Sequence, residues 1–508
     1  MESARSVKHE KPECPRHMAI CCLLGYFLQI AIGYLRDFMC FVGLDKGNHI
    51  AVEYNRDGYP PLYRGFENFY VRHFFRRLCH GWSIPIKSVP GAYIDVMDRY
   101  SDDHNLTFKY PGTTTRAINM GSYNYLGYAE NSGPIVDQVE RDLKMYGSST
   151  LSTRAEFGVT ETLIELETKM AQFLGAEACL VSGMGFATNS NNIPAIAGGE
   201  GTLVLSDEYN HSSLALGCKI SGACVRVFKH NDPNDLEMKI RRALLEGNVG
   251  RNRDKRHKRG ARTSAERKPW KRIIIMVEGI FSMEGSIVNL PAIIRIKKRY
   301  KAYLYLDEAH SIGALGKGVV SYFNCNPKDV DILMGTFTKS FGAAGGYIAG
   351  SQALIDFLLE KSHGSCYTTT MAAPIARQII GVVDSLMCPD INGDGARRLR
   401  TLADNTRYFR SELKRRGFIV YGSDDSPVVP LVVFAATVVV DIIMEALRHK
   451  VAIVGAGYPA TPIFEARVRF CLSASHTREM LDEVIDVIDD IGDRFHIKFA
   501  QDQYRLKG

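Results

Sequence analysis

Between about Thr160 and Met387 the chain repeats one pattern, a short uninterrupted apolar run followed by a stretch with apolar positions at helical spacing. The runs Thr202-Leu203-Val204-Leu205, Ile273-Ile274-Ile275-Met276-Val277, Ala302-Tyr303-Leu304-Tyr305-Leu306 and Asp331-Ile332-Leu333-Met334 lack polar alternation, as strands buried on both faces require. Strands alternating with helices predict an α/β domain on a mainly parallel sheet. After Pro389-Asp390-Ile391-Asn392-Gly393-Asp394-Gly395 the pattern predicts a helix around 397–416, strands near 428–434 and 467–472, and an amphipathic helix from about Arg478. That is a smaller α/β domain. At the other end, Met18 through Leu35 is a segment without formal charge, close to the roughly 20 apolar residues a spanning helix needs. The expected division is a tail and anchor over 1–50, an aromatic-rich arm over 51–159 that includes Phe66-Glu67-Asn68-Phe69-Tyr70, a large domain over 160–388, and a small one over 389–508.

Composition narrows the class. A chain of 508 residues can bury several core-forming units, and its 45 glycines suit an α/β protein with many tight turns. The 12 cysteines lack paired C-x-x-C spacing and are scattered through apolar segments, which points to a reducing compartment, no disulfide framework and no metal site. The net charge of +7 is local: Arg251–Arg272 holds eleven Lys/Arg against Asp254 and Glu266, and the remainder is slightly negative. With no apolar periodicity this basic loop reads as solvated, with anionic lipid headgroups as a lesser alternative and no nucleic-acid partner expected.

Two residues carry candidate chemistry. Lys339, in Gly335-Thr336-Phe337-Thr338-Lys339-Ser340-Phe341-Gly342, and Asp307, closing the run 302–306, both fall just past strand ends. Ligands of open α/β sheets bind at that edge. A lysine there can join the aldehyde of pyridoxal phosphate, while a carboxylate against the pyridine nitrogen keeps that nitrogen protonated and the ring able to accept electrons. The stretch between the two strands is long enough for a crossover helix.

With Leu306-Asp307-Glu308-Ala309-His310-Ser311, the lysine segment, Ser206-Asp207-Glu208-Tyr209-Asn210-His211-Ser212-Ser213, Met120-Gly121-Ser122-Tyr123-Asn124-Tyr125-Leu126-Gly127 and Pro459-Ala460-Thr461-Pro462 taken together, the chain resembles the α-oxoamine synthases from about Gly33 onward. Within them it is most similar to the lysine-bearing subunits of eukaryotic serine palmitoyltransferases. The resemblance implies a fold-type I, aspartate aminotransferase-like transferase with pyridoxal 5'-phosphate as cofactor. It implies that His211 stacks on the cofactor ring, that His310 meets its phenolic oxygen, that Thr336 and Thr338 donate hydroxyls to its phosphate, and that Gly185 and Phe186 belong to the strand-to-helix turn that meets the cofactor. Arg469 is implied as the binder of the amino acid's carboxylate, with Asn124 as a second contact and Arg467 as a surface or interface charge. Thr461 is implied to lie in a flap over the acyl substrate. Thr368-Thr369-Thr370 resembles a hydroxyl run through which a neighbouring subunit reaches the phosphate.

The implied reaction is decarboxylative condensation of L-serine with a long-chain acyl-CoA to 3-ketosphinganine. The implied partners are a homologous lysine-free subunit, small regulatory membrane subunits and membrane lipid, at the endoplasmic reticulum with the catalytic domain facing the cytosol. Because the resemblance continues through Gly33-Tyr34-Leu35-Arg36-Asp37-Phe38, the apolar segment is expected to be retained as an anchor. Arg5, Lys8, Lys11 and Arg16 before it would place the N-terminus in the cytosol if the helix spans; a helix lying within one leaflet fits cytosolic substrates better. The loop after Gly316 is about three residues shorter than usual in the family. Two other readings stay open: a relative using glycine or alanine with a different acyl-CoA, and a silent scaffold subunit.

Overall fold

The computed structural model describes residues 15–44, 69–70, 73–74, 76–103, 105, 107–248, 268–388, 390, 392–458 and 460–500. Arg5, Lys8, Lys11, Phe66–Asn68, most of the basic loop (251–267) and Pro459 lie outside these residues. In chain order the strands are β1 (Tyr93–Met97), β2 (Thr114–Asn119), β3 (Ala178–Ser182), β4 (Thr202–Asp207), β5 (Cys224–Phe228), β6 (Arg272–Glu278), β7 (Tyr303–Asp307), β8 (Ile312–Gly313), β9 (Gly316–Lys317), β10 (Ile332–Thr336), β11 (Gly346–Gly350), β12 (Val428–Phe434), β13 (Val451–Ala452), β14 (Val454–Ala456) and β15 (Ala466–Cys471).

Seven strands form the main sheet in the order β3-β11-β10-β7-β6-β4-β5. Every pair from β10 to β5 is parallel, and only β11 runs against its neighbours. The uninterrupted apolar runs are explained by burial on both faces. Leu203, Leu205, Ile275, Val277, Leu304 and Leu306 face one core, while Val204, Ile274, Met276 and Tyr305 face the other. The crossover from β7 to β10 is not the full helix expected from its length. It is the β8–β9 hairpin, one helical turn (Val319–Tyr322) and a 3-10 turn (Pro327–Asp329), and the buried Glu308 carboxylate accepts the Val319 N–H at 3.0 Å to close it.

The small domain pairs β12, β15 and β14 antiparallel and packs them with the helices Asp394–Arg415, Ala436–Arg448 and Arg478–Arg494. β1 and β2 come from the expected arm, yet β2 pairs with β13, so this part of the arm is built into the C-terminal unit. The turn after β2 is stitched to β15 and its following loop: Cys471 N–H donates to Met120 O (2.8 Å), Ala474 N–H to Tyr125 O (2.8 Å) and Ser473 Oγ to Asn124 O (2.6 Å). The tyrosine-rich loop is thereby fixed beside Arg469.

The N-terminal helix runs Arg16–Phe41, past the Leu35 expected from the charge pattern. Asp37 does not end it, because its carboxylate meets His73 Nε2 at 2.9 Å. The helix touches the domain along one stripe and exposes Leu24, Phe27, Phe38 and Phe41 elsewhere. Only 11% of its most apolar window is buried, so it is no core helix; among the described residues it is the one long and apolar enough to cross a membrane.

His476 locks the same loop. Its Nδ1 accepts the Ser473 N–H (3.1 Å) and Nε2 donates to Asn119 O (3.0 Å), an arrangement that requires the neutral ring. Burial pushes its pKa down to about 4. The unfolded chain therefore takes up this proton first as pH falls below the ordinary 6.5, and stability should drop between pH 6.5 and 4 by about 1.4 kcal/mol per unit. Urea unfolding at stepped pH should show that slope, and His476→Asn should flatten it while lowering stability at neutral pH.

Candidate active site

Four adjacent strands, β4, β6, β7 and β10, end at one edge of the sheet and deliver His211, Glu278, Asp307 and Lys339 there. Asp307 is the last residue of β7 and is buried. Its Oδ1 accepts the Ala309 N–H (2.9 Å) and its Oδ2 accepts from Asn189 Nδ2 (2.8 Å). Asn189, in the helix Gly185–Ala197, is itself oriented by the Tyr305 hydroxyl, which donates to its Oδ1 at 2.6 Å. The same Nδ2 reaches Ser213 Oγ (2.9 Å), and Ser213 Oγ meets His211 Nδ1 (2.8 Å). One amide thus fixes the positions of both the carboxylate and the histidine.

Lys339 lies three residues beyond β10, with Nζ 5.7 Å from the centre of the Tyr123 ring. Burial pushes its pKa down to about 8, against the pull of the Asp307 and Glu278 carboxyls. Glu278 pairs in register with Asp307 on the next strand. Burial, and then the charge on Asp307, push its carboxyl well above the ordinary range, and it accepts the His211 backbone N–H. Sequence reasoning missed Glu278, whose only signal is an acid closing an apolar run as Asp307 does.

His310 is buried with Nδ1 against the Tyr125 hydroxyl (2.8 Å). Burial, then the charges of Lys339 and Arg469, hold its pKa well below the usual value, so the ring is neutral and Nε2 is the nitrogen left for a ligand. His211 caps the helix Ser212–Ser221, and its ring sits edge-on to Phe186 at 5.9 Å. Burial lowers its pKa, offset by Asp307.

The place for a phosphate is shaped by absence of side chain. A Cβ on Gly185 would stand 2.5 Å from Thr336 Oγ1 and 3.2 Å from Gly345 O. The Thr336 and Thr338 hydroxyls lie 2.8 Å apart beside it, and the helix beginning at Gly185 has no side chain capping its first amides. Thr336 Oγ1 donates to Gly345 O (2.9 Å), so those amides and the Thr338 hydroxyl are the donors left for a phosphate dianion, with Thr336 positioning Thr338. With Lys339, Asp307 and neutral His310 converging on the same cleft, the residues fit pyridoxal phosphate.

Arg469, on β15, is buried; its Nη2 donates to the Tyr123 hydroxyl, and its Nη1 lies 3.4 Å from Ser282 O. Its Nε is buried without a hydrogen-bond partner, and no carboxylate pairs with it among the described residues. Arg467, two positions earlier, corrects the expectation of a surface charge. It is fully buried and pairs with Glu465 (2.8 Å) and Glu284 (3.4 Å), because the loop 282–286 folds over β15. Asn124 is held from two sides, donating to Pro90 O ahead of β1 (3.0 Å) and accepting from Ala129 N–H in its own turn (3.2 Å), with one amide hydrogen to spare. Tyr123, unmarked in the sequence reading, is shared by three of these groups: Lys339 Nζ and the Arg469 guanidinium lie 5.7 and 4.8 Å from its ring centre, and the His310 ring meets it edge-on.

From Arg469 and Met283 a cavity of about 480 Å³ extends between the small domain and the N-terminal helix, lined mainly by apolar groups such as Phe74, Leu78, Trp82 and Val439. Tyr458 and Ala460, of the segment containing Thr461, form part of its wall, whereas Thr461 itself is buried. Thr369 bridges to Thr153, and Thr370 donates to Gly158 O (2.6 Å), so this run packs within its own chain.

A family model for aminotransferase class I and II matches residues 115–488. The chain is 47% identical to serine palmitoyltransferase 3 of Homo sapiens over 96% of this chain and 86% of that one. It is 45% identical to serine palmitoyltransferase 2 of Caenorhabditis elegans (95% and 84%) and 42% identical to long chain base biosynthesis protein 2a of Arabidopsis thaliana (96% and 96%). Among solved structures, a serine palmitoyltransferase with pyridoxal phosphate superposes with a TM-score of 0.68 at 22% identity, covering 83% of this chain and 97% of that one. The 8-amino-7-oxononanoate synthase of Francisella tularensis gives 0.58 at 20%, covering 74% and 98%. These two likenesses are of fold.

The pKa of Lys339 has a measurable consequence. Apoprotein should capture pyridoxal phosphate faster as pH rises, with a midpoint near 8 set by the neutral amine, and level off above it. Stopped-flow absorbance of cofactor uptake checks this; a midpoint near the ordinary lysine value would place Lys339 in a more solvated setting.

Proposed function

The chain belongs to the class I and II aminotransferase family and, within it, to the serine palmitoyltransferases, pyridoxal-phosphate-dependent acyltransferases of sphingolipid base synthesis; from that premise we propose how its own residues act. The substrates are L-serine and a long-chain acyl-CoA, palmitoyl-CoA foremost. The new bond joins the serine α-carbon to the acyl carbonyl carbon; CoA and the serine carboxyl, as carbon dioxide, leave, and reprotonation gives 3-ketosphinganine.

The observation that carries this reading is the buried guanidinium of Arg469 without a counter-ion, between the Lys339 amine and an apolar cavity. A planar guanidinium binds a carboxylate bidentately, and Arg469 fixes the amino acid with its α-carbon toward Lys339. Asn124 can add its spare amide hydrogen. Lys339, with a pKa of about 8, is neutral often enough near neutral pH to take the α-proton and return one. Bound pyridoxal phosphate supplies an aldehyde to hold the amine and a protonated ring to draw electrons from the α-carbon. Asp307 would hold the ring nitrogen, His211 would pack on the ring, His310 Nε2 would be the donor left for the phenolic oxygen, and Thr338, positioned by Thr336, and the amides at Gly185 and Phe186 would hold the phosphate. The cavity takes the acyl chain, where each buried methylene contributes about 0.8 kcal/mol, and the segment with Thr461 closes over it.

The N-terminal helix holds the protein at the endoplasmic reticulum membrane with the catalytic domain on the cytosolic side, where acyl-CoA is found. A homologous lysine-free subunit covers the face exposing Leu151, Phe157 and Tyr367, which lies beside the Thr368–Thr370 run, and small membrane subunits regulate the pair. Large apolar side chains this exposed mark an interaction surface.

Lys339→Ala should abolish both bound-cofactor absorbance and 3-ketosphinganine formation in the assembled enzyme; retained turnover would sink the assignment. Arg469→Ala should raise the KM for serine by about tenfold or more, since a hydrogen bond to a charged group is worth ~1.5–3 kcal/mol, and leave the KM for palmitoyl-CoA near its original value.

A further inference from the structure

The helix Arg16–Phe41 carries Gly25 and Gly33, and the two serve opposite purposes. A Cβ on Gly33 would stand 2.6 Å from the Phe69 ring, so glycine there permits close packing. A Cβ on Gly25 would meet nothing within 4 Å. Gly25 is exposed, yet it stands on the side of the helix that borders the cavity. It shares helical spacing with Met18, Cys22 and Gln29, at steps of three and four residues, and all four line the cavity that begins at Arg469. Its backbone is ordinary helix, so no left-handed conformation demands glycine. Glycine weakens a helix relative to alanine and here permits no close contact in return. What it leaves is empty volume in the wall of an apolar pocket.

We propose that Gly25 sets the length of acyl chain this protein accepts, because its missing side chain keeps open the part of the cavity that runs along the N-terminal helix. The proposal rests on the reading of the cavity as the acyl site. A side chain at this position projects into free space and shortens the pocket without displacing a neighbour. It leaves Arg469, Lys339 and the cleft for the cofactor untouched. The helix that faces lipid on one side thus measures the substrate on the other.

The full chain in its active complex, with Gly25→Leu and Gly25→Ala, should be assayed with serine and a series from decanoyl-CoA to stearoyl-CoA. The leucine variant should lower the ratio of kcat/KM for palmitoyl-CoA over lauroyl-CoA by about tenfold or more, the scale of discrimination that methylene-sized changes in an apolar pocket produce. Alanine should shift it less and in the same direction, with the KM for serine and the cofactor absorbance unchanged in both. An unaltered ratio in a leucine variant that loads cofactor and binds serine normally overturns the proposal; if that variant does not load cofactor, an unaltered ratio in the alanine variant does. An unmodified protein inactive with every acyl-CoA overturns the acyl reading of the cavity and the proposal with it.

Discussion

A carboxylate buried at the end of a parallel strand loses most of its hydration, and Asp307 is tolerated because the fold supplies replacement donors from two directions. The Ala309 amide comes from its own turn, and Asn189 comes from a helix more than a hundred residues earlier. The charge so maintained then determines its neighbours. It helps keep Glu278 protonated on the adjacent strand and opposes the burial that lowers Lys339. It also offsets the burial of His211. Tyr305, two residues earlier on the same face of β7, completes the arrangement through Asn189, so the position of the carboxylate is tied to the packing of the second core. The sheet edge works as one electrostatic unit rather than as four separate side chains.

How much of this could be read beforehand follows from where each signal is stored. β4, β6, β7 and β10 announce themselves locally, because strands buried on both faces must be continuous apolar runs, and Asp307 and Lys339 follow from their ends. Glu278 closes its run in the same way, but its meaning depends on the β6–β7 register that sets it opposite Asp307, and register is not a local property. The assignment of β1 and β2 to the small domain was hidden for the same reason, since β2 pairs with β13 over three hundred residues away. The N-terminal helix outran its apolar segment because Asp37 finds His73, a partner no charge count reveals.

The cavity is the least legible part. Its walls come from the N-terminal helix, from Tyr70, Phe74, Leu78 and Trp82, from the turn after β6 and from the loops around β12 and β14, segments joined by no common motif. Each reads alone as an anchor, a loop or a strand end. The packing of Tyr26 on Phe74 (6.1 Å between rings) and of Phe74 on Tyr70 (5.3 Å), with Tyr70 Oη donating to Tyr458 O at 2.6 Å, brings the N-terminal helix and the Thr461 segment around one space. One side of the N-terminal helix therefore closes the cavity while the other stays exposed, and a change on one side leaves the other chemically intact.

The two arginines of β15 show how one buried charge is balanced within the protein and the other is left open. They stand two residues apart on the same face of one strand, with similar burial, and differ in their surroundings. Arg467 consumes Glu465 and Glu284 and donates to Met283 O besides, so its charge is balanced within the protein. That use of Glu284 is what leaves Arg469 without an acid: the nearest groups from the same loop are the Ser282 carbonyl and the Met283 sulfur, and Tyr123 offers a neutral hydroxyl. An uncompensated buried cation is costly, and the cost is recovered when an anion of matching geometry arrives. A neutral ligand would leave it standing. The one unpaired guanidinium among the described residues at this edge is thus a product of where two glutamates fall on the neighbouring loops.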